Sequence, residues 1–141
     1  MEEGPEVSEA YKIPDGLYYT EEHEWVKKLE DGTVLVGVSD YAQKQLHEIV
    51  YVELPETGSE VSQKDSIGSV ESVKAVTDMF APVSGTIVEV NEALLDSPEL
   101  INEDPYGEGW IAKIEPTDLD ADLAKLMDAE AYRAHVAAQT H

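Results

Sequence analysis

One lysine stands alone in the most strand-prone stretch of this chain. The run Val70-Glu71-Ser72-Val73-Lys74-Ala75-Val76 is followed by Ala81-Pro82-Val83-Ser84-Gly85-Thr86-Ile87. Val and Ile are dense on both sides, and β-branched residues fit a pleated strand. The pattern predicts one hairpin with Lys74 at its tip. Val61, Ile67, Val70 and Val73 belong to the rising side; Met79, Val83, Ile87, Val88 and Val90 belong to the returning side. Gly68 and Gly85, near the feet, read as tight bends. Lys74 is the only Lys or Arg between Lys64 and Lys113. An isolated lysine is commonly a solubilising charge on a turn. In an apolar hairpin, within a chain poor in cations, it reads better as a chemical handle.

The rest of the chain extends the β reading. Pro14-Asp15-Gly16 is a turn signal. Leu17, Tyr19 and then Trp25-Val26 fit short strands interrupted at Thr20-Glu21-Glu22. Glu30-Asp31-Gly32 is a hairpin turn, and Thr33 to Val38 is a clear strand. Ser39 or Asp40 can cap a short helix from Tyr41 to about His47. Ile49 to Leu54 alternates, with Ile49, Tyr51 and Glu53 on one side and Val50, Val52 and Leu54 on the other. Glu92 to Leu95 suits a helical turn closed by Pro98, and Trp110 to Ile114 is the last strand. Beyond Pro116 the period changes. Leu119, Leu123, Leu126, Met127, Ala131 and Tyr132 follow helical spacing, which predicts a C-terminal helix over about 119–136 with an apolar stripe on the β body.

Composition narrows the function. The 141 residues suit one domain, and no apolar run is long enough to span a bilayer. Absence of cysteine removes disulfides and thiol chemistry. The start, Met1 to Glu6, is acidic, unlike a secretory or mitochondrial targeting segment, so a cytoplasmic protein is expected. The 31 acidic and 9 basic residues leave a formal charge of -22. Such a surface repels nucleic acid and anionic lipid, so neither is expected as a partner. The acids are spread along the whole chain. That favours halophile-like adaptation to a salt-rich cytoplasm over a local docking patch for basic partners.

Several stretches, taken in order, carry a resemblance. They are His23-Glu24-Trp25-Val26, Ser39-Asp40-Tyr41-Ala42-Gln43, Val52 to Gly58, Gly68 to Ala75, Ala81 to Gly85, and Leu100-Ile101-Asn102 with Pro105 to Trp110. The lysine hairpin resembles a lipoyl attachment hairpin. The chain from about Ile13 to about Val136 resembles the H protein family of the glycine cleavage system. The resemblance implies a mainly β, lipoyl-domain-like flattened barrel or sandwich (a barrel-sandwich hybrid) with a short internal helix and a C-terminal helix. A flexible acidic leader over 1–12 would precede a single carrier domain over 13–141.

The same resemblance implies lipoate attached covalently to Lys74. Its disulfide would accept an aminomethyl group from a pyridoxal-phosphate glycine decarboxylase. An aminomethyltransferase using tetrahydrofolate would remove that group, and dihydrolipoyl dehydrogenase would reoxidise the arm. The chain would be a non-catalytic carrier. Lysine suits the task, because its amine forms a stable amide and its stem is long. Glu71, Val73 and Ala75 are the side chains that a lipoate ligase or lipoyl/octanoyl transferase would read. Glu24 and Asp78 match family positions that line the cleft where the loaded arm parks. A carboxylate shielded from water can hold the ammonium by a charge-assisted hydrogen bond. Glu22 departs from the family, which often has Ser there; this extra acid of the cleft could tighten arm locking, but it reads better as part of the general acid enrichment.

Other readings compete. A lipoate relay that donates lipoyl groups to other carriers would use the same hairpin. A detached lipoyl domain would be shorter and lack both the C-terminal helix and the His23-Glu24-Trp25 segment. A biotin carrier would favour Met on both sides of the lysine. An acidic β-barrel hydrolase would use Glu24 with a second carboxylate and would not need Lys74. Trp25 and Trp110 read as core or cleft-wall aromatics. Asp118, Asp120 and Asp122 read as helix-start acids suited to the dipole. The four histidines lack metal-ligand spacing.

Overall fold

The computed structural model describes residues 11–139. Strands β1 (Tyr18–Tyr19), β2 (Glu24–Lys28), β3 (Val34–Val38), β4 (Ile49–Glu53), β5 (Glu60–Val61), β6 (Ser66–Ser72), β7 (Val76–Phe80), β8 (Gly85–Val90) and β9 (Ala112–Pro116) form two antiparallel sheets. The larger has six strands in the order β1-β2-β3-β9-β8-β5, and the smaller has three in the order β4-β6-β7. Neither closes into a barrel, so the fold is the sandwich form of the expected architecture. The predicted hairpin around Lys74 is β6 and β7, whereas the Ala81-Pro82-Val83-Ser84 run leaves it and crosses to β8 in the other sheet.

Alternation accounts for the sandwich. Val26, Val34 and Val36 of the large sheet and Val52 and Val70 of the small one turn inward. They meet Met79, Ile87 and Ile114 in one hydrophobic cluster. Gly68 is where the backbones of β4 and β6 come closest, since a β-carbon there would strike the Glu53 carbonyl oxygen. It marks a close approach at a bulge, not the bend expected at a hairpin foot.

The expected alternation of Ile49–Leu54 fails at its start. A register shift between Ile49 and Tyr51 buries Ile49 together with Val52, while Val50 and Tyr51 face solvent. Ser39 caps helix α1 (Asp40–Leu46) by accepting the Ala42 N–H, as expected. Short helices α2 (Ala93–Asp96) and α3 (Leu100–Glu103) bring Leu94 and Ile101 to the core.

The C-terminal helix expected over 119–136 is two helices, α4 (Leu119–Leu123) and α5 (Ala129–Gln139). The break has a clear cause. Met127 pairs as a strand residue with Tyr19, donating its N–H at 2.9 Å and accepting the Tyr19 N–H at 2.8 Å. Asp120 and Asp122 lie in the first turn of α4, as expected of helix-start acids, but Asp122 does more. It is buried, and its carboxylate accepts the Ser84 N–H at 2.7 Å. Helix α5 covers a second apolar cluster with Tyr19, Trp25, Tyr41, Tyr132 and Val136.

Only Tyr11 and Lys12 of the expected 1–12 leader are among the described residues. Both are docked. Tyr11 meets the Tyr41 ring edge-on at 4.9 Å, and Lys12 donates its N–H to Asp40 at 2.9 Å. The remainder of that expectation lies outside the described residues.

Candidate functional site

The tip between β6 and β7 is a tight turn built around Ser72. Its N–H donates to the Ala75 carbonyl at 2.8 Å. Its buried hydroxyl oxygen accepts the Lys74 and Ala75 N–H groups at 3.1 and 3.0 Å. A Ser hydroxyl bonding backbone two and three residues on is a known turn device. Ser two positions before Lys74 is the sequence signal of this turn. The tip is also braced from α1 and the link after it: Val73 N–H donates to the Glu48 carbonyl at 3.0 Å. Lys74 itself is exposed, and its Nζ makes one hydrogen bond, to the Gln45 carbonyl at 3.2 Å. The backbone is thus fixed while the amine stays accessible.

The residues expected to be read by a ligase surround it. Glu71 and Ala75 are exposed, and Val73 is 65% exposed. Cross-strand pairing sets Tyr51, Glu71 and Val76 in one row on the solvent side of the small sheet. The next row is Glu53, Ser69 and Asp78.

Strand β7 runs from this tip to the mouth of a cavity of about 300 Å³. Tyr19, Phe80, Pro82, Leu126 and Met127 give it apolar walls, Glu21, Glu22 and Glu24 give it an acidic side, and Lys64 and Lys125 also line it. Glu24 opens β2 and is only 2% exposed. Its Oε1 accepts the Thr20 hydroxyl at 2.5 Å, and its Oε2 accepts the Phe80 N–H at 3.0 Å. That second bond joins the large sheet to the free edge of the small one.

Burial pushes the Glu24 carboxyl up from 4.5 to about 7, with the Glu22 charge adding to the rise; the bonds from Thr20 and Phe80 oppose it. The carboxyl is therefore poised near neutrality. Glu22 and Glu24 both line the cavity. Asp78 is not among the cavity-lining residues; it stands exposed on β7, two residues before Phe80. Among the described residues, no group of three or more His, Cys, Asp or Glu is placed to hold a metal ion. No helix among them is long and apolar enough to cross a membrane.

The comparison that decides the family covers nearly the whole fold. The family model of the glycine cleavage H-protein matches residues 17–139. The chain belongs to that family. A probable glycine cleavage system H protein of Thermococcus gammatolerans is 62% identical over 131 residues, covering 93% of this chain and 96% of that one. A glycine cleavage system H protein of Anaeromyxobacter sp. strain K is 53% identical over 128 residues, covering 91% and 98%. The crystal structure of a glycine cleavage system H protein from Mycobacterium marinum superposes with a TM-score of 0.80 at 42% identity, covering 86% and 97%. H-proteins carry lipoate and shuttle intermediates between the enzymes of the glycine cleavage system, as its carrier subunit. The matches reach past the size of a detached lipoyl domain, and they do not favour the relay reading.

Proposed function

We propose that Lys74 is the lipoyl attachment site and that the Glu24 cavity holds the loaded arm. The observation that carries the reading is the pairing of the two along β7. The exposed Lys74 sits beyond one end of this strand, and a buried carboxyl sits at the other. Four residue steps from Val76 to Phe80 span about 13 Å, a distance suited to a long swinging side chain. The site fits the group. The apolar walls suit a hydrocarbon chain and dithiolane, and Glu24 suits an ammonium.

When attached, lipoate supplies a disulfide that accepts an aminomethyl group. The chain's own residues do the rest. Ser72 fixes the tip, Glu71, Val73 and Ala75 present it to a lipoate ligase or lipoyl/octanoyl transferase, and Glu24 with Glu22 receives the ammonium. Asp78 belongs to the approach along β7 and not to the cavity wall. The partners are a pyridoxal-phosphate glycine decarboxylase, a tetrahydrofolate aminomethyltransferase and dihydrolipoyl dehydrogenase. Those partners supply the catalytic groups, and this chain acts as a non-catalytic carrier.

Peptide mass mapping after treatment with lipoate ligase tests the attachment. We expect one lipoyl group, on Lys74, and none on the folded Lys74→Arg variant. Modification at Lys64 or Lys113 in place of Lys74 would sink the assignment.

A further inference from the structure

The acidic wall of the cavity is carried by the turn between β1 and β2, and the turn is strained. His23 adopts φ 75. A non-glycine residue in that left-handed region pays for it, so surrounding structure must hold it there. Within the turn His23 N–H donates to the Thr20 carbonyl at 3.1 Å, and the His23 ring lies 4.7 Å from that of Tyr41. The C-terminal segment adds contacts at both ends of the turn. Tyr19, which opens the turn, pairs with Met127 through two backbone hydrogen bonds. His23, which closes it, has Nδ1 2.8 Å from the Tyr132 hydroxyl.

Tyr132 is well placed as an anchor. It is fully buried, and its ring stacks on Tyr19 with centroids 4.4 Å apart and planes 3° from parallel. Its hydroxyl also lies 2.7 Å from Ser39 Oγ. Ser39 Oγ accepts the Ala42 N–H, and Ser39 N–H donates to the His23 carbonyl at 2.9 Å. One proton arrangement gives every hydroxyl hydrogen an acceptor. The Ser39 hydroxyl donates to Tyr132, and Tyr132 donates to an unprotonated His23 Nδ1. His23 is then neutral, with its proton on Nε2. Burial, helped by the nearby His135, pulls its pKa down to about 4, in keeping with that form.

We propose that Tyr132 is a positioning residue: its hydroxyl holds His23 in the left-handed turn that sinks the neighbouring Glu24 carboxyl into the cavity wall. The inference rests on the reading of this cavity as the place that holds the arm. It assigns helix α5 a role in arm retention, although of its side chains none lines the cavity.

The test uses three variants of the full chain. Tyr132→Phe keeps the ring and removes only the hydroxyl. His23→Ala removes the tether and keeps the strain. His23→Gly removes the tether and the strain together, because glycine adopts a positive φ without cost. The first readout is the Glu24 titration midpoint, followed by carbon-13 NMR in unlipoylated protein. Tyr132→Phe and His23→Ala should each lower it by about one unit as water reaches the carboxyl, and His23→Gly should stay close to wild type.

The second readout is release of the aminomethyl group from the loaded protein. Release should quicken about threefold or more in the first two variants and much less in the third, because a carboxylate that leaves the shielded wall for water holds an ammonium more weakly even though it is more fully ionised. If Tyr132→Phe fails to fold, the contrast between His23→Ala and His23→Gly still decides. Equal midpoints in wild type, His23→Ala and His23→Gly would overturn the proposal, as would a Tyr132→Phe protein that melts earlier with its Glu24 midpoint unmoved. A Glu24→Gln protein that releases the aminomethyl group at the wild-type rate would instead overturn the arm-holding reading, leaving the NMR pattern to judge the turn.

Discussion

A carboxyl poised at about 7 is a poor clamp when protonated and a good one when ionised. Glu24 holds an ammonium only as the carboxylate, and the ammonium in turn favours that form. Retention of the loaded arm should therefore weaken as pH falls below 7, seen as faster aminomethyl release in a stopped-time assay. Glu24→Gln should release quickly throughout and lose most of the pH dependence; a Gln variant with an unchanged profile would assign the titration elsewhere. Residues differ in how far they could be read from sequence. Lys74 was legible because nothing else near it is cationic. Glu24 was legible only through resemblance, since Glu22-His23-Glu24 by itself reads as a solvated loop. Tyr132 was not legible as a partner of His23, because 109 positions separate them and helical periodicity marks it only as core.

Elements show what each device contributes. In the β6–β7 hairpin, Ser72→Ala removes the acceptor of two backbone N–H groups and should cost about 1 kcal/mol. We expect faster hydrogen exchange at Lys74 and Ala75 and slower ligase modification, with the strand amides unchanged. The β1–β2 turn sets two titrations against each other. Glu24 has a raised folded pKa, so the native state binds the extra proton between 4.5 and about 7, and stability falls as pH rises through that window. His23 has a lowered one, so the unfolded state binds the extra proton between about 4 and 6.5, and stability rises with pH there. The slopes oppose each other in wild type. Urea melts of Glu24→Gln should expose a rise in stability between pH 4.5 and 6.5, and those of His23→Asn a fall. The strands were legible from β-branched density and turn residues. The bulge in β4 and the break between α4 and α5 were not. Both are set by partners across the fold: β6 for one, and Tyr19 for the other.

At the scale of the whole molecule, charge dominates. Against 31 acidic residues, the ion pairs among the described residues are Lys44–Asp40, Lys113–Glu89 and Arg133–Asp15. Each has an exposed or half-exposed member, and such pairs contribute little. Repulsion among the remaining carboxylates should be relieved by screening, because the Debye length drops to roughly 3 Å near 1 M salt. We expect the melting temperature to rise by about 5 °C or more between dilute and molar potassium chloride. A flat or falling series would remove the physical ground for reading the charge as an adaptation to salt. Layered sheets were legible from the pattern of strands, but the seat of the cavity was not, because its walls come from stretches far apart in the chain: Tyr19 to Glu22 with Glu24, Gln63 and Lys64, Phe80 to Pro82, and Lys125 to Met127.

That last feature has a bearing on the order of events during synthesis. The lysine tip closes on Ser72, Glu48 and Gln45, all of which leave the ribosome before or with it. The cavity is lined in part by Lys125, Leu126 and Met127, which are made near the end. On the proposed reading, a nascent chain would therefore present Lys74 before the place that stores its arm exists.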